Sequence, residues 1–171
     1  MGKTQLAIRF ARDHKNDFTA IFWLSGKDRG SLLRSLSSVL PRLLGQSQTV
    51  DAINEEEVEQ RARQVLKWLE IPNNERWLLI FDNIDQYSPT VSGAGGAGDG
   101  YDIYDFFPKA DHGSILITSR LQKLTGLGKS FPVQRLESKD AIQLLLQSSG
   151  LSAQNVTGKA EIDPGTWSLY L

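Results

Sequence analysis

Arg76-Trp77-Leu78-Leu79-Ile80-Phe81-Asp82-Asn83-Ile84-Asp85 is an apolar run that ends in acids and an amide. Six or so residues without alternating polarity read as a short strand buried on both faces, and such strands belong to parallel sheets covered by helices. A strand that delivers a carboxylate at its C-terminal end is informative, because α/β sheets bind ligands along that edge. Immediately upstream, Asn54 followed by Glu55, Glu56 and Glu57 supplies a capping residue and an acidic first turn. Val58, Ala62, Val65, Leu66 and Leu69 then trace one face, which predicts a helix from about residue 55 to 70, stopped by Pro72-Asn73-Asn74.

The same alternation extends in both directions. Leu6, Ala7, Phe10 and Ala11 share a helical face over residues 4 to 14, and Phe18 to Leu24 form a β-rich run ended by Ser25-Gly26. Leu32, Leu33, Leu36, Val39, Leu40, Leu43 and Leu44 recur at helical spacing, with Pro41 expected to kink or end that helix. Residues 88 to 100 hold five of the chain's 15 glycines and only Val91 as a bulky side chain, and read as a loop insertion. Beyond it, Gly113-Ser114-Ile115-Leu116-Ile117-Thr118-Ser119-Arg120 is a further strand with a polar end, Ser130 to Gln134 a weaker one, and Ser138 to Gly150 a capped helix. Strands alternate with helices over connections too long for hairpins, so the fold class is α/β with a mainly parallel sheet.

Chemistry concentrates where polar residues end these strands. Gly2-Lys3-Thr4 directly before a helix matches the close of a phosphate-binding loop, G-x-x-x-x-G-K-[ST], in which glycine lets the backbone approach, lysine reaches the β- and γ-phosphates, and the hydroxyl ligates Mg²⁺. On its own the tripeptide is equally a chance sequence before a helix. Asp82 strengthens the first reading as a carboxylate that holds Mg²⁺ through water, against the plainer one of a turn with helix-capping residues at Asp82-Asn83-Ile84-Asp85. Asn83 stands where a second acid would orient water, and amides are poor proton acceptors, so Asp85 is the substitute base. Thr118 and Arg120 end the next strand; Arg120 either forks onto a terminal phosphate or caps a surface loop. His14 and His112 have no metal-ligand spacing and no adjacent nucleophile.

Composition narrows the classes. The 171 residues carry 19 basic and 20 acidic side chains, a net charge of −1, so no overall field favours nucleic acid or an anionic membrane. No apolar run reaches membrane-helix length, and zero cysteines fit a reducing interior, which suggests a cytoplasmic protein.

Taken in order, Gly2-Lys3-Thr4-Gln5-Leu6-Ala7, Ile21-Phe22-Trp23-Leu24, Leu78 to Asp85, Gly113 to Arg120 and Leu136-Glu137-Ser138-Lys139-Asp140-Ala141 resemble the NB-ARC domain of signal-transduction ATPases, particularly the fungal NLR-like type. The resemblance spans residues 2 to about 160. It implies a P-loop NTPase-type three-layer sandwich, a domain over 1–162 with the 88–100 insertion, and a divergent tail over 163–171. It also implies binding of ADP at rest and ATP on activation, with Mg²⁺ and slow hydrolysis. By the same resemblance Gly2, Lys3, Thr4 and Gln5 belong to the phosphate loop, Asp82 is the Walker B acid, Thr118 and Arg120 contact the nucleotide with Arg120 as sensor, and Thr4 and Asp82 serve the metal. Partners other than nucleotide would act through self-association or protein modules outside these motifs. The family's first strand lies mid-sheet and would precede Met1, which implies a gap whose unsatisfied ladder groups would each cost about 1–3 kcal/mol. The alternatives are an interaction fragment or truncated gene product that binds no nucleotide, and another kind of P-loop kinase or ATPase.

Overall fold

The computed structural model describes residues 2–45, 54–88, 100–134 and 136–149. Most of the 88–100 insertion, the whole 163–171 tail and the closing Gly150 lie outside the described residues. The chain divides into two compact units, Met1–Val133 and Gln134–Leu171.

In the first unit, α1 (Lys3–Asp13) leads to β1 (Ala20–Ser25), then α2 (Arg29–Ser37), the short α3 (Leu40–Leu43), α4 (Glu55–Leu69), β2 (Trp77–Ile84) and β3 (Ser114–Ser119), with 3-10 turns at Ile103–Phe106 and Gln122–Leu127. The three strands form one sheet in the order β1-β2-β3, parallel throughout. The predicted α/β class with a parallel sheet is therefore observed. β2 alternates between two cores: Trp77, Leu79 and Phe81 face α2 and α4, while Leu78 and Ile80 meet Ala7 of α1. Helices thus cover both faces. Leu79, Ile80 and Phe81 are wholly buried, and each such side chain contributes about 1.5–3 kcal/mol over an exposed one.

No gap interrupts the sheet between β2 and β3. β2 pairs directly with β3, Leu78 opposite Ser114 through Phe81 opposite Ile117, so the ladder groups expected to be orphaned have partners. β2 is the central strand, and this changes what the flanking strands look like. β1 and β3 lie at the edges and are less buried than β2; Trp23 is 40% exposed and only Leu24 of β1 is fully buried. Half of the predicted face of α1 is buried. Ala7 and Ala11 approach the sheet, whereas Leu6 and Phe10 turn outward, because small side chains let a helix sit close over Leu78 and Ile80.

Local sequence governs the remaining elements. The Asn54 side chain accepts the Glu57 N–H at 2.8 Å and α4 runs as its periodicity predicts. The long leucine pattern breaks at Ser38–Val39, and Pro41 sits in the first turn of α3, where its missing N–H costs nothing. Ser130 to Gln134 form no strand; Pro132 removes a ladder donor there and Phe131 is exposed. In the second unit, α5 (Ser138–Ser149) begins with the Ala141 N–H donating to the Glu137 carbonyl at 2.9 Å, which places Ser138 inside the helix and not at its cap.

Candidate functional site

The C-terminal ends of three parallel strands and the N-terminus of α1 meet at one edge of the sheet. Thr4 and Asp82, 78 residues apart, are joined there: the Thr4 hydroxyl donates to Asp82 Oδ1 at 2.9 Å. Thr118, at the end of β3, donates to the same oxygen at 2.6 Å. Asp82 is half-buried, and two hydroxyl donors on one oxygen hold its carboxylate in one orientation while leaving acceptor capacity on the other.

A backbone irregularity creates this arrangement. Phe81 lies opposite Ile117 and Ile84 opposite Ser119, so Asp82 and Asn83 together face Thr118 alone. This is a two-for-one bulge, the kind of feature that re-aims side chains beside sites. Asn83 takes a left-handed conformation, φ 62°, which asparagine tolerates better than most residues. Its N–H donates to Thr118 Oγ1 at 2.9 Å, so Thr118 secures both the bulge and the acid within it. Thr118 is buried, and its hydroxyl is spent on these two contacts. The geometry therefore gives it the task of placing Asp82.

The other predicted residues take distinct positions. Gly2 precedes the helix at φ 104°, a conformation suited to glycine, and no side chain caps the first turn of α1. Lys3 and Gln5 lie in that turn beside Thr4, and neither side chain reaches a partner among the described residues. Asp85 and Arg120 face each other, Oδ2 to the guanidinium at 3.6 Å, with Arg120 76% exposed. The second Asp85 oxygen is buried with no hydrogen-bond partner. Arg120 and Asp85 thus form a loose pair beside the Thr4–Asp82–Thr118 cluster.

Two residues of this edge escaped the sequence reading. The buried Tyr101 hydroxyl donates to the Gly26 carbonyl at 2.6 Å, and the Gly26 N–H donates to the Asp82 carbonyl at 2.8 Å. Burial, then the charges of Asp28 and Asp85, push the Tyr101 phenol up to about 12. Tyr101 follows a glycine-rich stretch with no periodicity, so nothing local marks it as part of the site. Gly26 had only the signal of a strand end.

The donor chemistry can be tested against a metal. Among the described residues no group of three or more His, Cys, Asp or Glu could hold an ion, so this edge is no all-protein cation cage. A hydroxyl and a carboxylate side by side do fit Mg²⁺, which keeps much of its water and takes one or two carboxylates. No helix of the described residues is long and apolar enough to cross a membrane. No protein-family model matches the chain, and no curated protein matches it.

Proposed function

We propose that the chain is an NB-ARC-like P-loop domain that binds ADP and ATP with Mg²⁺ at this edge and acts as a cytoplasmic conformational switch. The Thr4–Asp82 hydrogen bond carries the reading: a Gly-Lys-Thr helix start and a strand-end acid, each weak as a motif, are in contact. The uncapped first turn of α1 offers backbone N–H groups and the positive end of the helix dipole to phosphate, with Lys3 adding a mobile charge. Thr4 and Asp82 would hold the metal, which when bound neutralises charge on the phosphates. Arg120, exposed and only loosely held by Asp85, can leave that pair for a terminal phosphate. Hydrolysis is at most slow, since Asn83 occupies the position of a second acid and Asp85 is partly engaged by Arg120.

Titration calorimetry with ADP and with Mg·ATP tests this on the wild-type chain and on Lys3→Ala. Binding by the wild type and its loss, by at least about 100-fold, in the variant is the expected result. Equal affinity in the two would end the assignment of Lys3 and with it the P-loop reading. A second reading has its own support: Asp82 is already satisfied by two hydroxyls and Arg120 already faces Asp85, as in a structural latch within an interaction module. A folded wild type with no affinity for either nucleotide would favour the latch.

A further inference from the structure

We propose that Tyr101 is a positioning residue that holds the main chain of Asp82 through Gly26, and this rests on the reading of Asp82 as the metal-site acid. The two hydrogen bonds form a relay. Tyr101 grips the carbonyl of Gly26, whose own N–H grips the carbonyl of Asp82. Gly26 is buried, and a Cβ on it would run into the Ile84 side chain and crowd the Asp82 carbonyl at 3.3 Å, so the relay is a close backbone approach that favours glycine.

Asp82 needs such support because it stands in the bulge. On the β3 side the regular pairing breaks between Phe81 and Ile84, and contact there comes from the side chain of Thr118. On the β1 side the register runs to Ser25 opposite Asp82, and the Gly26 N–H is the last bond of that ladder. An anchor at Gly26 therefore sets the direction of the Asp82 peptide, while Thr4 and Thr118 set its carboxylate.

Tyr101 is itself fixed. Its N–H donates to Gln86 O at 2.9 Å, its carbonyl accepts the Ser88 N–H at 3.0 Å, and its ring stands edge-on to Phe106 at 5.7 Å. A tyrosine phenol is a neutral donor at ordinary pH, and burial of Tyr101 raises its titration further. The segment after β2 is thereby tied to the loop after β1, across 75 residues of sequence.

The test compares wild type, Tyr101→Phe and Tyr87→Phe as full chains. Tyr101→Phe keeps the ring and removes only the hydroxyl. Tyr87 lies opposite Tyr101 in the same bridge, and its hydroxyl has no part in the Gly26 relay. Two readouts are taken: amide hydrogen exchange at Gly26 and Asn83 without ligand, and nucleotide affinity with and without Mg²⁺. Tyr101→Phe should speed exchange at Gly26 by about tenfold beyond any change at Ile80. It should also lower affinity by about tenfold with Mg²⁺ and leave it unchanged without Mg²⁺. Tyr87→Phe should alter neither. Exchange that rises equally at Gly26 and Ile80 overturns the proposal, because the hydroxyl then serves only global stability. Retained Mg²⁺ dependence in Tyr101→Phe also overturns it, while the nucleotide-binding reading stands. Should the wild type bind no nucleotide, that reading falls, and local exchange at Gly26 still decides whether Tyr101 holds this edge.

Discussion

The two ends of β2 are built on opposite terms. At its start, Trp77 is buried, its indole N–H donates to the Leu69 carbonyl at 3.0 Å, His112 Nε2 donates to the same carbonyl at 3.1 Å, and the two rings meet edge-on at 6.1 Å. Apolar area and two directed bonds close the C-terminus of α4 onto the sheet, with the ordinary economy of a core. At its end, the strand breaks register, turns Asn83 left-handed and presents a half-buried carboxylate held by two hydroxyls. One end maximises packing. The other places a charge, accepts a local backbone cost and recovers it through hydrogen bonds from α1 and β3. Stability and binding should therefore separate along a single strand.

The largest effect belongs to the packed end. Trp77→Ala removes a fully buried indole and should cost about 3–5 kcal/mol in urea unfolding, with nucleotide affinity of the folded fraction preserved. A loss below 1 kcal/mol would mean that Trp77 does not close this end. At the other end, Asp82→Asn keeps the size and one acceptor oxygen. It should leave the unfolding free energy within about 1 kcal/mol of wild type. The Mg²⁺-dependent gain in nucleotide affinity should fall by about 10- to 100-fold. Calorimetry with and without Mg²⁺ reads this directly, and a large stability loss with intact Mg²⁺ dependence would reverse the contrast.

The smallest effect is acidic. Asp28 is held below the usual carboxylate range by the Ser31 backbone N–H and hydroxyl, and Glu59 by hydrogen bonds from Arg29 and then Arg63. Folded-state pKa values below the unfolded ones mean stability that is present above the ordinary carboxylate pKa, about 4, and lost as pH falls through the depressed values. Both groups are only half-buried and reach solvent, so the loss should be slight, and Asp28→Asn should flatten the acid limb of a midpoint-against-pH curve. An unchanged limb would show that the cap on α2 adds no pH dependence.

Legibility varied with the range of the interactions involved. Asn54 and the three glutamates predicted the start of α4 because capping is settled within one turn. Pro41 marked a helix break for the same reason. Gly2-Lys3-Thr4, Asp82 and Thr118 were legible as residue types at strand and helix ends, and the structure brings Thr4, Asp82 and Thr118 into direct contact. Residue type did not tell which of them touches solvent: Thr118 is buried and its hydroxyl donates to Asp82. Hydrophobic periodicity on α1 put Leu6, Ala7, Phe10 and Ala11 on one face, and of these only Ala7 and Ala11 pack against the sheet.

By itself, the sequence determined an alternating α/β chain whose strands end in polar residues, since propensity, capping and apolar runs act over a few positions. Tertiary structure alone decided that β2 is central, that β3 closes directly onto it, and that a bulge, Gly26 and Tyr101 converge on Asp82. Those outcomes depend on partners 35 to 78 residues apart, whose pairing is set by the sheet's register and by which surfaces remain to be covered.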